Sequence, residues 1–432
     1  MTMKQKIIIL LNSKGCWNGG YKGGETCERN NHLSHNWNSV VMNSSGPITC
    51  KAAVAWGPGE PLSIEEVELS PPNAFEIRLK MLHTSICRSD LTAWEFQTIF
   101  PRILGHEAAG VVESVGEGVT EFIVGDRVVT VFTGECMACR HCKSGKSNMC
   151  QVLGLERKGV MHSDNSTRFS IRGSPIFHYC AVSSFSEYTI VHSQCAVKIP
   201  TSAPSRNICL LSCGVSAGLG AAWNVANVSA GSTVVIFGLG TVGLSVAQGA
   251  KLRGASRIIG VDTNSWKEEK AKLFGVTDFI NPNESMGPIQ QLIMEMTDGG
   301  ADFSFECIGE AEMVTTALQC CCQVNNTCTS NSYDSPLLFS KGWGVTVTLG
   351  VPKAKPEVSA HYGLLLSGRT LKGSLFGGWR PKSDIPSLIE MYVKKEINVD
   401  DYVTHNVPFH SINEGLGLMK EGQCLRCVID FE

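Results

Sequence analysis

The sequence predicts an α/β protein in which a doubly wound parallel sheet is inserted into a smaller, irregular β domain. Three observations lead to this fold class. The chain has 432 residues, more than one hydrophobic core usually supports, so two domains are expected. Short β-rich runs broken by glycine and proline occupy residues 48–134 and return after residue 370. Between them, from residue 231, apolar strands alternate with helical stretches, which is typical of a parallel sheet.

The composition narrows the classes of partner and compartment. With 40 acidic and 37 basic residues the net charge is −3, and no long Lys/Arg run indicates a nucleic-acid or anionic-membrane partner. The longest early apolar run, residues 7–11, is far shorter than the roughly 20 residues that span a bilayer and predicts no export signal. Nineteen cysteines then indicate reduced thiols and metal ligands, with zinc first, in a cytoplasmic protein.

The β-rich part begins after a polar segment. Residues 1–45 are rich in Asn, Gly, Ser and Lys without a sustained period, and we expect them to form a disordered extension. Residues 76–82 and 109–116 have the apolar, β-branched composition of strands between turn signals.

The parallel-sheet part has a clearer period. Strands are expected at residues 233–237 and 257–261, followed by helices at 242–253 and about 265–274. Residues 323–341 are polar and turn-rich, and they are expected to be a surface loop insertion before a strand at 345–349. Past residue 370 short β-rich pieces return with a helix near 385–395, so both ends of the ordered chain are expected in one domain.

Four cysteines form the first chemical motif. Cys136, Cys139, Cys142 and Cys150 have the spacing C-x2-C-x2-C-x7-C, and two-residue spacings let tight turns bring four thiolates to one tetrahedral zinc. The alternatives are unrelated free cysteines and a zinc ribbon that binds nucleic acid. A ribbon would normally bring a basic face, which the net charge of −3 does not indicate.

A glycine motif forms the second. Gly238, Gly240 and Gly243 form G-x-G-x-x-G directly between an apolar strand and a helical run, the context in which a helix N-terminus receives a pyrophosphate. Asp262 ends the next strand, where a carboxylate accepts hydrogen bonds from ribose hydroxyls and repels a 2′-phosphate. The motif therefore predicts NAD rather than NADP. A Rossmann-like sheet without a cofactor is the alternative.

A second metal site is less clear from spacing. Cys87, His106 and Cys213, with Glu107 beside the histidine, could supply the three protein ligands of a catalytic zinc. A buried free cysteine and a hydrogen-bonded core histidine would produce the same residues. Spacing alone favours the second interpretation.

Several separated motifs resemble one family. Cys87-Arg88-Ser89-Asp90, Gly105-His106-Glu107, Phe132 to Cys136, Leu211 to Gly214 and Gly238 to Gly243 together resemble the zinc-dependent medium-chain alcohol dehydrogenases, especially the plant alcohol-dehydrogenase-like branch. The likeness runs from about residue 48 to the end of the chain, except for residues 323–341. It implies a GroES-like β catalytic domain (46–214 and 358–432) with an inserted Rossmann coenzyme domain (215–357).

The resemblance also assigns roles to residues. It implies Cys87, His106 and Cys213 as catalytic zinc ligands and the four-cysteine motif as the structural zinc site, so two zinc ions per subunit. It implies four residues near the reacting atoms: Ser89 in a proton relay with Thr92, Glu107 near the metal and Asp90 orienting His106. Coenzyme contacts are implied for Arg88, Gly238, Leu239, Gly240, Thr241, Val242, Gly243, Asp262, Lys267, Val351, Phe376 and Arg426.

The substrate pocket departs from the family pattern. The interval between Cys87 and His106 is shorter by about three residues and carries Trp94, Phe96 and Phe100, and this loop is expected to help wall the pocket. Phe132 and Tyr179 match pocket-lining positions of the family. Ala217 stands where many members have a threonine. Gly154 occupies the position of an anion-binding arginine of glutathione-dependent formaldehyde dehydrogenases, although Arg157 and Lys158 lie close by.

The resemblance therefore implies an NAD-dependent dehydrogenase of a primary or secondary alcohol, a cytosolic homodimer with no nucleic-acid or membrane partner. Two alternatives remain. One is an S-(hydroxymethyl)glutathione dehydrogenase, and the other is a catalytically impaired relative that still binds zinc and NAD.

Thr92 generates a prediction about pH. It occupies the place where many relatives carry a relay histidine, and its hydroxyl does not titrate near neutrality. We expect the pH profile of kcat to lack a histidine step and Thr92→His to introduce one, measured with a simple alcohol between about pH 5 and 9. An unchanged profile and rate in the variant would contradict this.

Overall fold

The computed structural model describes residues 46–322, 343–352 and 356–431. The expected extension at residues 1–45 and the expected loop insertion at 323–341 lie outside the described residues. In chain order the strands are β1 (Ile48–Ala55), β2 (Ser63–Leu69), β3 (Glu76–Ile86), β4 (Arg102–Ile103), β5 (Glu107–Val115), β6 (Arg127–Thr130), β7 (Phe169–Ile171), β8 (Ser174–Ile176), β9 (Tyr188–His192), β10 (Ala196–Lys198), β11 (Thr233–Phe237), β12 (Arg257–Val261), β13 (Asp278–Ile280), β14 (Phe303–Glu306), β15 (Val345–Thr348), β16 (Thr370–Gly373), β17 (Val403–Pro408) and β18 (Arg426–Asp430). The α-helices are α1 (Arg88–Phe96), α2 (Arg140–Ser144), α3 (Ser205–Ile208), α4 (Gly214–Gly220), α5 (Thr241–Leu252), α6 (Lys267–Phe274), α7 (Ile289–Met296), α8 (Ala311–Gln319), α9 (Tyr362–Leu366), α10 (Pro381–Val393) and α11 (Ile412–Lys420).

Two antiparallel-rich sheets form the β domain. One has the strand order β4-β1-β2-β7-β8, and the other runs β10-β6-β5-β3-β18-β17 with β9 also paired to β3. Strand β18 pairs antiparallel with β3, so that Cys427 lies opposite Ile86. The last strand of the described chain therefore completes a sheet that begins more than three hundred residues earlier.

The second part of the fold is a parallel sheet. Its strand order is β13-β12-β11-β14-β15-β16, and every pair within it is parallel. Val235, Ile236 and Ile259 are fully buried, as expected for central strands covered by helices on both faces. The predicted fold class, an irregular β domain with an inserted Rossmann sheet, is confirmed.

The interval between Cys87 and His106, which we expected to be a loop, contains a helix. Helix α1 begins after Cys87, whose backbone N–H donates to Asp90 Oδ2 at 2.9 Å, so the carboxylate satisfies a backbone donor at the helix start. Trp94 points away from the expected pocket: its Nε1 donates to the Glu60 carbonyl at 2.7 Å. Phe100 packs with the apolar cluster around β1.

No single helix in the described ranges is long and apolar enough to cross a membrane. One bent pair, residues 205–212 and 214–225 meeting at 52°, passes the same test by length and composition only.

A buried histidine, His178, lies between two guanidinium groups. Its Nε2 accepts a hydrogen bond from the backbone N–H of Arg168 at 3.1 Å. The ring is therefore neutral, with its proton on Nδ1. Burial lowers the pKa of His178 from 6.5 to about 3, and the charges of Arg168 and Arg102 add to this, while Asp164 opposes it. Protonation in the native state is therefore suppressed.

His178 should make stability depend on pH. In the unfolded chain His178 binds a proton near pH 6.5, but in the native state it does so only near pH 3. The contribution of neutral His178 to the free energy of unfolding is therefore full above pH 6.5 and is lost as the pH falls toward 3. We expect the free energy of unfolding to lose about 2 kcal/mol between pH 7 and 5 from this residue. His178→Gln, which keeps an acceptor for Arg168, should remove that part of the slope in urea titrations. Substituting the exposed His410 by Gln is the control, and equal slopes in all three proteins would contradict the assignment.

Candidate functional site

The four-cysteine motif closes into one cluster. The Sγ atoms of Cys136, Cys139, Cys142 and Cys150 all lie within 4.8 Å of one another. Backbone N–H groups point at the sulfur atoms, among them Cys142 N to Cys139 Sγ at 3.4 Å. Hydrogen bonds from the Cys142 and Gln151 backbone lower the pKa of Cys139 to about 6. Four thiols in this arrangement, at least one of them readily ionised, match the donor set of a tetrahedral zinc.

A second cluster lies where three separate elements meet. Cys87 at the start of α1, His106 before β5 and Cys213 at the start of α4 present ligand atoms within 4.8 Å of one another and of a Glu107 carboxylate oxygen. A hydrogen bond from Cys213, with the nearby Arg426 charge, outweighs burial and holds the pKa of Cys87 well below its ordinary value. Two thiol groups and an imidazole make a three-ligand set that leaves one zinc position open.

Asp90 holds the histidine of this cluster. Its Oδ1 lies 3.0 Å from His106 Nδ1 and also accepts from Gly105 N at 3.1 Å, while Oδ2 accepts from Cys87 N. Because Nδ1 faces the carboxylate, Nε2 is the ring atom free to bind a metal. The buried Asp90 side chain thus holds both the backbone N–H of Cys87 and the imidazole ring of His106.

Glu107 is paired with Arg426. The guanidinium makes two hydrogen bonds of 2.9 Å to the two carboxylate oxygens and lies 3.5 Å from Cys87 Sγ. A third donor, Nη1, reaches Thr241 Oγ1 at 2.9 Å. Burial raises the pKa of Glu107 above its ordinary value, although the Arg426 charge opposes this. Arg426 therefore joins the metal cluster to the glycine loop, a pairing that the sequence did not indicate.

The glycine loop has the geometry that its spacing predicts. Gly238 has φ +89°, a left-handed conformation that favours glycine. A Cβ on Gly243 would lie 1.9 Å from the Gly238 carbonyl oxygen, so only glycine lets α5 start so close to β11. The remaining loop residues are Leu239, Gly240, Thr241 and Val242.

Asp262 lies beside this loop at the end of β12. Its Oδ2 accepts from Leu239 N at 2.7 Å and from Lys267 Nζ at 2.8 Å, and Oδ1 accepts from Asn264 N at 2.9 Å. Asp262 and Lys267 thus form an ion pair next to the loop. Arg88 is exposed at the start of α1, and its Nη1 donates to the Met419 carbonyl at 3.4 Å.

A cleft of about 540 Å³ connects these parts. Cys87, His106 and Cys213 line it, and so do Ser89 and Thr92. The predicted pocket and coenzyme residues on its wall are Phe96, Phe132, Arg157, Tyr179, Ala217, Val242, Val351 and Phe376. The segment between Cys87 and His106 contributes Phe96 to this wall, whereas Trp94 and Phe100 are not on it. Both lie on sides of the segment that pack inward.

The cleft also contains residues that sequence reasoning missed. Its lining includes Gln97, Thr98, Arg102, Glu156 and Cys180. Of these only Arg102, three residues before Gly105, lies near a recognised motif. Ser89 Oγ lies 3.7 Å from Cys87 Sγ, and Thr92 Oγ1 donates to the Arg88 carbonyl at 3.1 Å. The two hydroxyl groups are therefore on the cleft side of α1.

Known proteins share both halves of this architecture. Residues 73–201 match the family described as alcohol dehydrogenase GroES-like domain, and residues 241–323 match zinc-binding dehydrogenase. The chain is 68% identical over 382 residues to alcohol dehydrogenase-like 6 of Arabidopsis thaliana, covering 88% of this chain and 96% of that one. It is 51% identical to alcohol dehydrogenase 1 of Solanum tuberosum, with 89% and 98% covered.

A solved structure agrees with these relatives. Benzyl alcohol dehydrogenase from Acinetobacter calcoaceticus superposes with a TM-score of 0.78 at 28% identity, covering 89% of this chain and 100% of that one. The alignments with the two plant relatives cover 96% and 98% of those proteins. The chain therefore belongs to the zinc-dependent medium-chain alcohol dehydrogenase family of oxidoreductases.

Proposed function

We propose that the chain oxidises a primary or secondary alcohol reversibly to its carbonyl compound with NAD, at the cleft lined by Cys87, His106 and Cys213. One observation carries this proposal. The three-ligand cluster, the hydroxyl of Ser89 and Val242 of the glycine loop all face the same 540 Å³ space. A substrate at the open metal position would thus lie beside both a proton acceptor and the coenzyme.

The chain's own residues prepare and deprotonate the substrate. Zinc bound at the cluster would supply Lewis acidity that lowers the pKa of an alcohol. Ser89 Oγ, on the cleft wall, would accept the hydroxyl proton while its own hydroxyl hydrogen passes to solvent, so that the serine stays neutral. The Thr92 hydroxyl hydrogen is directed at the Arg88 carbonyl, so Thr92 adds no titrating group to this transfer.

Three parts of the chain support NAD as the coenzyme. Gly238, Leu239, Gly240, Thr241 and Gly243 would hold the pyrophosphate at the start of α5. Asp262 would accept the ribose hydroxyls, with Lys267 beside it, and its charge disfavours a 2′-phosphate. Val351 and Phe376, on the cleft wall, would flank the nicotinamide. Arg88 and Arg426 would approach the pyrophosphate from the β domain.

We infer two zinc ions per subunit. The four-thiol cluster offers a closed donor set for a structural ion, and the Cys87 cluster offers an open one. The cysteines in the described ranges are all free thiols, which fits a reducing compartment and supports placing the protein in the cytoplasm.

A polar outer wall favours one alternative substrate. Arg157 lines the cleft and is exposed, although Gly154 lacks the arginine of glutathione-dependent relatives. A cation at the mouth would suit the carboxylates of S-(hydroxymethyl)glutathione. This second candidate function uses the same metal cluster and the same coenzyme.

Substituting one zinc ligand tests the proposal. Cys87→Ala should abolish NADH formation and remove one of two zinc ions per subunit, because the open site loses a thiolate. Purified proteins are assayed with straight-chain alcohols, benzyl alcohol and S-(hydroxymethyl)glutathione, and zinc is measured by mass spectrometry. Cys50→Ala, a buried thiol outside both clusters, is the control. Wild-type protein that binds zinc and NAD but turns over nothing would indicate an impaired relative.

The sheet edge at β16 supports a homodimer. All four of its residues are exposed, and within the described ranges β16 pairs with β15 alone. Exposed apolar side chains lie on the strand and in the segments that precede β15 and β16 in sequence: Trp343, Tyr362, Leu365, Leu366 and Leu371. A bare strand edge with an apolar margin is a surface that proteins normally cover. We infer that β16 of a second copy covers it about a two-fold axis.

Charge at this edge should separate the subunits. Leu371→Lys places an ammonium on β16, and we expect the wild-type dimer to become a monomer at micromolar concentration in sedimentation equilibrium. Leu273→Lys on α6, also exposed, is the matched control. A wild-type monomer, or a variant as dimeric as the control, would refute the arrangement.

A further inference from the structure

Tyr179 contacts two parts of the proposed site at once. Its hydroxyl donates to the backbone carbonyl of Ser89 at 3.0 Å. Its ring meets the His106 imidazole edge to face, with centroids 5.5 Å apart and planes at 75°. The side chain is 7% exposed and lies on the cleft wall. It therefore lies against a metal-ligand ring and the backbone of the relay serine.

The hydrogen bond to Ser89 acts on the first turn of α1. A carbonyl has two lone pairs, so the Ser89 oxygen can serve its helix and Tyr179 together. Asp90 holds the same turn from the other side through Cys87 N. The position of Ser89 Oγ follows that of its backbone. Without the phenol, the turn loses the hydrogen bond that Tyr179 makes directly to the Ser89 backbone.

Arg102 holds the ring of Tyr179. Its guanidinium carbon lies 5.0 Å from the ring centre, in the range of a cation–π contact. Nη1 donates to Gln97 Oε1 at 2.7 Å and Nη2 to the His178 carbonyl at 2.9 Å. Arg102 is 1% exposed, so its charge is desolvated and the attraction to the ring is correspondingly stronger.

The backbone after Tyr179 is strained. Cys180, Ala181 and Ser183 have φ values of +52°, +51° and +54°, a conformation that non-glycine residues rarely adopt. Ser183 Oγ accepts from Tyr179 N at 2.8 Å, and the Tyr179 carbonyl accepts from the N–H groups of Val182 and Ser183. Strain of this kind persists only where surrounding contacts determine the conformation, and it concentrates at functional sites. The loop thus fixes where Tyr179 leaves the backbone.

We infer that Tyr179 is a positioning residue of the dehydrogenase: its hydroxyl fixes the Ser89 backbone and its ring fixes His106, in an orientation set by Arg102 and the strained loop. This role rests on the proposed function, in which Ser89 accepts the substrate proton. The phenol itself transfers no proton, because its hydrogen is directed at the Ser89 carbonyl. Losing it should slow proton transfer and leave substrate binding intact.

The test separates the hydroxyl from the ring. Tyr179→Phe keeps the aromatic wall, so KM for a simple alcohol and zinc content should stay within twofold of wild type. We expect kcat to fall on the order of tenfold, since small misplacements of reacting groups are costly. The solvent deuterium isotope effect on kcat should rise as proton transfer becomes more rate-limiting. Amide hydrogen exchange in α1 should also become faster.

Phe132→Leu is the control. Phe132 also meets the His106 ring edge to face, at 5.6 Å, and has no hydroxyl. We expect it to change KM and leave the solvent isotope effect unchanged. Unchanged kcat, isotope effect and α1 exchange in Tyr179→Phe would overturn the positioning role alone. Absence of turnover in the wild type on every alcohol would reject the proposed function and this role with it.

Discussion

The buried ion pair between Arg426 and Glu107 is the interaction on which the site depends. Two thiols and a carboxylate approach one another here with little access to water, and Arg426 is the cation that contacts both Glu107 and Cys87. Removing one member of such a pair typically costs 3–5 kcal/mol, about as much as a large core truncation, because it leaves an uncompensated buried charge. The guanidinium also reaches Thr241 of the glycine loop. A single side chain thereby ties the metal cluster to the coenzyme loop.

Sheet pairing determines where that side chain lies. Arg426 begins β18, and β18 pairs with β3, the strand that leads into Cys87. The register between β18 and β3 thus brings Cys87 and the positive charge of Arg426 together. His106 enters the same space from the start of β5, another strand that pairs with β3. Cys87, His106 and Arg426 lie at one end of three adjacent strands, so the sheet sets the distances between them.

Local patterns in the sequence predicted much of this. The strands at 233–237 and 257–261 are observed at those residues, since apolar runs between turn signals are a local property. The four-cysteine and glycine motifs are likewise compact in sequence, and the structure brings their residues together. Helix α1 was missed, because its start is capped by Cys87 and Asp90 rather than by a usual Ser or Thr. The orientation of helix α1 also places the side chain of Trp94 on its inward-packed side.

Pairings over long separations could not be predicted in this way. Glu107 and Arg426 are 319 residues apart, and Ser89 and Tyr179 are 90 apart. Each residue alone has an ordinary interpretation as a surface charge or a core aromatic. Only the folded structure shows that they meet. The resemblance to a family supplied ligand roles for Cys87, His106 and Cys213 that spacing did not favour.

The late position of Arg426 has a consequence for synthesis. A ribosome releases Cys87, His106 and Glu107 long before it releases β18, which follows the whole parallel sheet. Until then the thiols and carboxylate lack their cation, and β3 lacks one neighbouring strand. Domains tend to fold as they emerge, so the parallel sheet can fold while the β domain is still incomplete. The nascent chain would thus hold a finished parallel sheet beside an incomplete β domain, and β18 would then complete that domain and bring Arg426 to Glu107.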